Sequence, residues 1–442
     1  LVHAVDTEGP LNESWKATFN RIEELFGLKI KIKSIEELNK LLSGKKIPSG
    51  VNQKIFKKTI NNHLIKYNKN WKEIKLMLDK VCSNNFRNKL LDKNGKGWIF
   101  SWHCVDHVDY KINPRKRDIG YHKVFDFYSN YILSNDSSKN DRVHFHFHPM
   151  STYKEAHRNA TTYINSPHLY ETICRRIIER NWFPVANRAG FHVERPDSNL
   201  FLEQWIPFDL SNVSKNNKIK KFSNDNALNA RGWDWRRATT DWKVYSPSHD
   251  DYQVAGNCRR KIGRILSILN RTESIDKNEV LKAFKQASRG KKTLMAVTSH
   301  DFRNLEKEVD EVRSLLKHAI KKYPNVKINY CDTADGFRKT LGIKNEKSKK
   351  IQIKIKEIVT NKNKRSFKVS TLKGKVFGPQ PFLAIKLKNG RFIHDNLDFS
   401  LKRGEWFYSI YEDTIREEDL EAIGVGAADA KGNFDTSVIK FK

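Results

Sequence analysis

The amino-acid sequence predicts a parallel α/β core followed by a small all-β module. Three observations carry this. Through residues 1–343, strand-like apolar runs alternate with helix-period segments, the pattern of βα units around a parallel sheet. Titratable residues gather where the strand-like runs end: Asp6 and Glu8, Asp106 and His107, His144 to His148, Arg188, Asp209 and His300. Parallel barrels place their active sites at that end of their strands. Beyond residue 350 apolar residues alternate with polar ones, the period of half-buried antiparallel strands.

Taken in order, residues 1–5 read as a short strand. It runs into Asp6-Thr7-Glu8-Gly9-Pro10, where Gly-Pro marks a turn and two carboxylates stand one residue apart. An acidic turn on its own is common and needs no function. Residues 15–26 have the spacing of an amphipathic helix. Residues 29–97 read as a basic, helix-rich insertion of mostly structural content, with Ser34 and Glu37 at capping-box spacing. Residues 97–105 (GWIFSWHCV) are apolar and β-prone and end at Asp106-His107. A helix is expected after Gly120 and a polar loop over 134–141.

Residues 142–151 read RVHFHFHPMS. On a strand, the period of two sets His144, His146 and His148 on one face and the apolar residues on the other. Side-by-side imidazoles bring no packing benefit but suit a metal ion. A single histidine there would be read as a satisfied core or surface residue; three at this spacing favour a metal. Strand geometry does not separate a His144/His146 pair from a His144/His148 pair.

Residues 163–180 are expected to be helical and 183–186 a strand that ends near Arg188 and His192. A loop rich in Lys and Asn over 212–229 leads to Trp233, Trp235 and Trp242, with Asp241 before the last. Tryptophans are first of all core residues, but among Arg and Asp they also suit a sugar-binding groove. Helices are expected over 261–269 and 277–287. A buried strand over 293–298 ends at Ser299-His300-Asp301. A strongly amphipathic helix follows, stopping before Pro324, and 326–330 reads as the last strand of the core. Residues 344–350 form a charged linker. In 351–442, alternating strands and an Asn389-Gly390 hairpin signal predict a β-sandwich without a catalytic cluster.

Composition narrows the classes. No apolar run is long enough to cross a membrane as a helix. Five scattered cysteines form no C-x-x-C pair, which argues against a disulfide framework or a thiolate zinc site. The scattered cysteines fit a reducing compartment, and with no signal-peptide pattern visible a cytoplasmic setting is expected. The formal net charge of +32 comes from Lys and Arg spread along the whole chain, with no stripe or nucleic-acid-binding motif. No specific nucleic-acid partner is expected.

In order, these motifs resemble those of the metal-dependent polysaccharide deacetylases of carbohydrate esterase family 4, the NodB-homology group, and within it a divergent bacterial branch associated with surface polysaccharides. The resemblance spans roughly residues 1–335, apart from much of 29–97. Asp6 and Glu8 match the first motif in a D-x-E variant, and His144, His148 and Pro149 the second. Arg188 with Ala189-Gly190-Phe191 matches the third, Asp241-Trp242 the fourth, and His300-Asp301 the fifth, with Thr298 where the family usually has Leu.

The resemblance implies a distorted barrel of about seven βα units over 1–343 and hydrolysis of an N-acetyl group from an amino sugar of a glycan. It implies one divalent ion, zinc, held by Glu8, His144 and His148. Asp6 would be the base, paired with Arg188. His300 would donate a proton to the leaving amine, oriented by Asp241. Trp242 would line the groove, and His146 would be a satellite. Asp106, His107, His192 and Asp209 are candidate substrate-side groups. Two alternatives stand beside this: an amidase on a non-acetyl or non-sugar substrate, and a catalytically silent carbohydrate-binding protein.

Overall fold

A computed structural model describes residues 1–441 except 157, 159, 161, 216–233, 271–273, 345–349 and 360–364. Trp233, most of the Lys- and Asn-rich loop and most of the charged linker lie outside the described residues. Seven strands close an all-parallel barrel in chain order: β1 (Val2–Thr7), β2 (Phe100–Cys104), β3 (Arg142–Phe147), β4 (Ala186–Ala189), β5 (Phe208–Asn212), β6 (Lys261–Ser267) and β7 (Ala296–His300). β1 pairs with both β2 and β7, which seals the cylinder.

Every residue of β1, β2, β4 and β5 is buried. Strands covered on both faces need not alternate apolar and polar residues. That explains β6. Ile262, Ile265 and Leu266 have helical spacing, yet the segment is a strand with Gly263 packed against Leu210 and Phe337. The expected helix over 261–269 is therefore wrong. β4 starts where the expected strand ends.

The helices before β2 are α1 (Trp15–Phe26), α2 (Ile35–Leu42), α3 (Gln53–Thr59), α4 (Asn62–Ile65), α5 (Trp71–Val81) and α6 (Asn84–Arg87). Ser14, Ser34, Asn52, Asn70 and Ser83 each cap the helix that follows by accepting a backbone N–H. Phe19, Ile22, Leu38, Leu41, Phe56 and Leu64 form a separate small core for α1 to α4. The outer layer continues with α7 (Lys123–Leu133), α8 (Pro167–Arg180), α9 (Pro196–Trp205), α10 (Lys277–Ser288) and α11 (Leu305–Lys322). Pro167 and Pro196 occupy first helical positions, where proline's missing N–H is harmless.

The expected strand over 326–330 is not formed; only Cys331 bridges to Val2. Instead α12 (Thr333–Leu341), capped by Asp332, closes the N-terminal end of the barrel. Its Thr333 N–H donates to Ser101 Oγ (2.8 Å), and Phe337 stacks on Phe208 at 4.7 Å. A side chain at Gly336 would meet Val2 Cγ2 at 2.5 Å, so the close approach of helix and barrel requires glycine there.

The C-terminal strands are β8 (Gln352–Val359), β9 (Arg365–Lys373), β10 (Phe382–Leu387), β11 (Phe392–Asp395), β12 (Asp398–Phe399), β13 (Glu405–Ser409), β14 (Leu420–Ala428) and β15 (Phe434–Lys440). They form two four-stranded sheets, β11-β10-β14-β15 and β12-β13-β9-β8, around Phe367, Val369, Leu383, Ile385, Ile423 and Val425. The opposite face of the first sheet belongs to the barrel's own core: Phe382, Ala384 and Ala422 pack there, with Cys174 Sγ of α8 donating to Ile393 O.

Candidate metal centre

The C-terminal ends of β1, β3, β4 and β7 converge on one cluster. The period of β1 turns both Asp6 and Glu8 inward, and the register sets Asp6 opposite His103 of β2 and His300 of β7. Arg188 of β4, fully buried, grips Asp6 with two hydrogen bonds, Nε to Oδ1 at 2.9 Å and Nη2 to Oδ2 at 2.7 Å. Its Nη1 donates to Leu210 O at 2.7 Å, which fixes the fork. Burial pushes the Asp6 carboxyl up, but Arg188 and then His146 outweigh it and hold Asp6 well below the usual carboxylate range.

Glu8, His146 and His148 bring one donor atom each to within 4.8 Å of one another. His146 Nδ1 donates to Arg188 O at 2.8 Å, which turns its Nε2 toward the cluster. That Nε2 lies 2.9 Å from His148 Nε2, and His148 Nε2 lies 3.7 Å from Glu8 Oε1. Burial holds His148 well below the usual histidine range, hence neutral. Two imidazoles and a carboxylate converging on one point fit a divalent cation such as zinc. The structure thus brings together His146 and His148, not the expected His144 and His148.

The reason is the rise of a strand. Residues four apart on β3 are separated by about 13 Å along the strand, whereas residues two apart at its very end can converge. His144 sits one step deeper, its Nε2 3.3 Å from Asp332 Oδ1 and its ring 5.0 Å from that of His103. Gly190, just after β4, makes room for His148: a Cβ there would stand 2.4 Å from His148 Cδ2.

Around these residues lies a tight polar shell. Arg117 Nη2 pairs with Glu8 Oε2, leaving Oε1 to face the histidines. Burial pushes Glu8 up, but Arg117 outweighs it and holds it below the usual range. His107 Nε2 donates to Glu8 O at 2.8 Å. Asp301, just past β7, accepts from Glu8 N (3.0 Å), Gly9 N (2.9 Å) and Tyr128 Oη (3.0 Å), which fixes the turn carrying Glu8. Burial raises the Asp301 carboxyl to about 7. His192 is surrounded by Arg188, Asp6, His300 and His146; burial, then Arg188, keeps it neutral, and its Nδ1 has no hydrogen-bond partner.

His300 Nε2 lies 3.6 Å from Glu8 Oε1 and 3.9 Å from Asp6 Oδ2. Its partner is not Asp241. Arg303 Nη2 donates to His300 Nδ1 at 2.5 Å. Burial, then Arg303, lowers the His300 pKa to about 4. The ring is therefore neutral with its proton on Nε2, the reverse of the protonated histidine expected.

Four other expected positions lie away from the cluster. Asp241 is half-exposed and pairs with Lys282 at 3.4 Å. Trp242 is fully buried, with Nε1 donating to Glu279 O and Arg264 over its ring, so it belongs to the core rather than to a groove. Asp209 faces outward from β5 into a buried ion pair with Arg260 at 2.7 Å, joined by Glu194. Asp106 is taken up by Arg176 (2.9 Å) and His122 N (2.6 Å). Conversely, Arg117 and Arg303 escaped sequence reading. Each stands among many basic residues in a loop, and only the fold singles it out. Comparisons with protein-family models, curated proteins and solved structures return no match.

Proposed function

We propose that the chain is a metal-dependent hydrolase that removes an N-acetyl group from an amino sugar of a bacterial polysaccharide or its precursor. The observation that carries this reading is one cluster at the C-terminal mouth of a closed parallel barrel: the Glu8/His146/His148 donor set beside Asp6 and His300. A divalent ion held by those three residues would supply Lewis-acid polarisation of the acyl carbonyl and acidification of water.

The remaining chemistry belongs to side chains of the chain. Asp6 is ionised and fixed by Arg188, so it presents an aligned acceptor for the proton of the attacking water. His300 offers a neutral Nε2–H on the β7 side. It donates a hydrogen bond to the acyl oxygen as negative charge builds there, and Asp6 returns its proton to the departing nitrogen as the C–N bond breaks. Burial of the cluster strengthens each of these interactions.

The choice of sugar rests on the motif order in the sequence. A second reading, hydrolysis of a non-sugar amide, is favoured by one observation: Trp235 and Trp242 are both fully buried and offer no face for sugar stacking. A panel of N-acetylated amino sugars, glycan oligomers and simple amides, assayed for acid and amine release with added zinc, separates the two. Acetate release from the sugars alone supports the first. Turnover confined to non-sugar amides would replace it with the second, and no turnover on any member would overturn both.

A further inference from the structure

The helical insertion grips the candidate site from behind. Asn68, between α4 and α5, bonds both loops that flank it: its N–H donates to Phe302 O (2.9 Å), its Nδ2 to Asp301 O (2.9 Å), and its carbonyl accepts from Leu11 N (3.0 Å). Tyr67 packs edge-on against Phe302 at 5.7 Å. A purely structural insertion would need no more than this.

A buried chain of polar side chains runs on from it. His63 of α4 places Nε2 2.8 Å from Glu308 Oε1, on the first turn of α11. Glu308 is fully buried, and its Oε1 lies 3.8 Å from Arg303 Nε. Arg303, only 5% exposed, donates to His300 Nδ1. A guanidinium has donors only, so this contact obliges Nδ1 to be the acceptor and puts the ring proton on Nε2, toward the cluster. A buried guanidinium next to a cation site is costly unless a carboxylate compensates it, and Glu308 is that carboxylate. Burial pushes Glu308 up, but Arg303, then the hydrogen bond to His63, hold it below the usual range, so it is ionised.

We infer that the insertion positions His300: His63, through Glu308 and Arg303, fixes the Nε2–H tautomer that faces the Asp6/Glu8 cluster. His63, Glu308 and Arg303 are positioning residues, none of them touching the reacting atoms. The inference rests on the proposed hydrolase only for its effect on turnover, because the tautomer itself is a property of the protein without substrate.

Ring-nitrogen NMR of His300 in the metal-loaded protein tests it directly. The wild type should show protonated Nε2 and bare Nδ1. Arg303→Met should give a mixture of tautomers, and Glu308→Gln should shift the signal the same way. On any substrate that is turned over, Glu308→Gln should lower kcat about 10- to 100-fold with KM and bound metal unchanged. If the buried variants do not fold, the surface-side pair decides: His63→Ala should reproduce the shift in part and His63→Gln, which keeps a donor, should restore the wild-type signal. A wild-type His300 with its proton on Nδ1 would overturn the inference. So would a tautomer and kcat that do not change in Glu308→Gln, or, if that variant is not obtained, in His63→Ala. If the tautomer follows the prediction but no amide is hydrolysed, the proposed function fails and the positioning stands.

Discussion

Two ends of one strand face carry histidines with opposite fates. At the mouth, His146 and His148 turn their Nε2 atoms toward each other and toward Glu8. One step deeper, His144 lies against Asp332 and His103, above the Thr333 end of α12. There burial pushes the Asp332 carboxyl up, but neighbouring His144 outweighs it and holds Asp332 at about 2. All three histidines share the face that a period of two assigns them. What divides them is depth: at the floor the residue that caps a helix supplies a carboxylate partner, whereas at the mouth the two Nε2 atoms face each other and Glu8.

Disruption at the mouth should therefore read out as metal, and disruption at the floor as stability. The largest effect is expected for Glu8→Ala, which removes the only carboxylate of the donor set; stoichiometric zinc, followed by metal analysis after dialysis, should be lost. Arg117→Met leaves the ligands intact but frees Glu8 to rotate, and metal affinity should fall about 10- to 100-fold in a competition titration. At the floor, Asp332→Asn should keep full metal content and lower unfolding stability by about 1–3 kcal/mol in denaturant melts, because it weakens a buried pair. The smallest effect belongs to Asp241→Asn. Its half-exposed pairing with Lys282 should be worth no more than about 0.5 kcal/mol, with metal content and turnover unchanged.

The same contrast marks what was legible in the sequence. Long periodic helices such as α1 and α11, and strands ending in titratable clusters such as β1, β3 and β7, stand out because their patterns are local. β6 does not, since a strand buried on both faces loses its alternation and Ile262, Ile265 and Leu266 mimic a helix. Asp6, Glu8, Arg188 and His300 stand out in the sequence as titratable strand-end residues, and the geometry brings them into one cluster. The pairing of His146 with His148 was not legible, because depth along a barrel strand is set by shear and by α12, neither of which has a local signature. Arg117 and Arg303 were hidden for a related reason: in a chain with 83 Lys and Arg residues, a basic loop residue carries no signal until its partner is known. Asp241-Trp242 matched a motif as a string while its surroundings, Lys282 and Glu279, place it elsewhere.

The claim that the metal is held at the mouth by His146 and His148 is tested most directly by paired variants of one strand. His144→Ala and His146→Ala should be purified side by side, loaded with zinc, desalted and analysed for metal per folded chain. His144→Ala is expected to retain about one ion per chain, as the wild type does, and His146→Ala to retain none. Metal lost from His144→Ala but kept by His146→Ala would contradict the account and return the ligand role to His144.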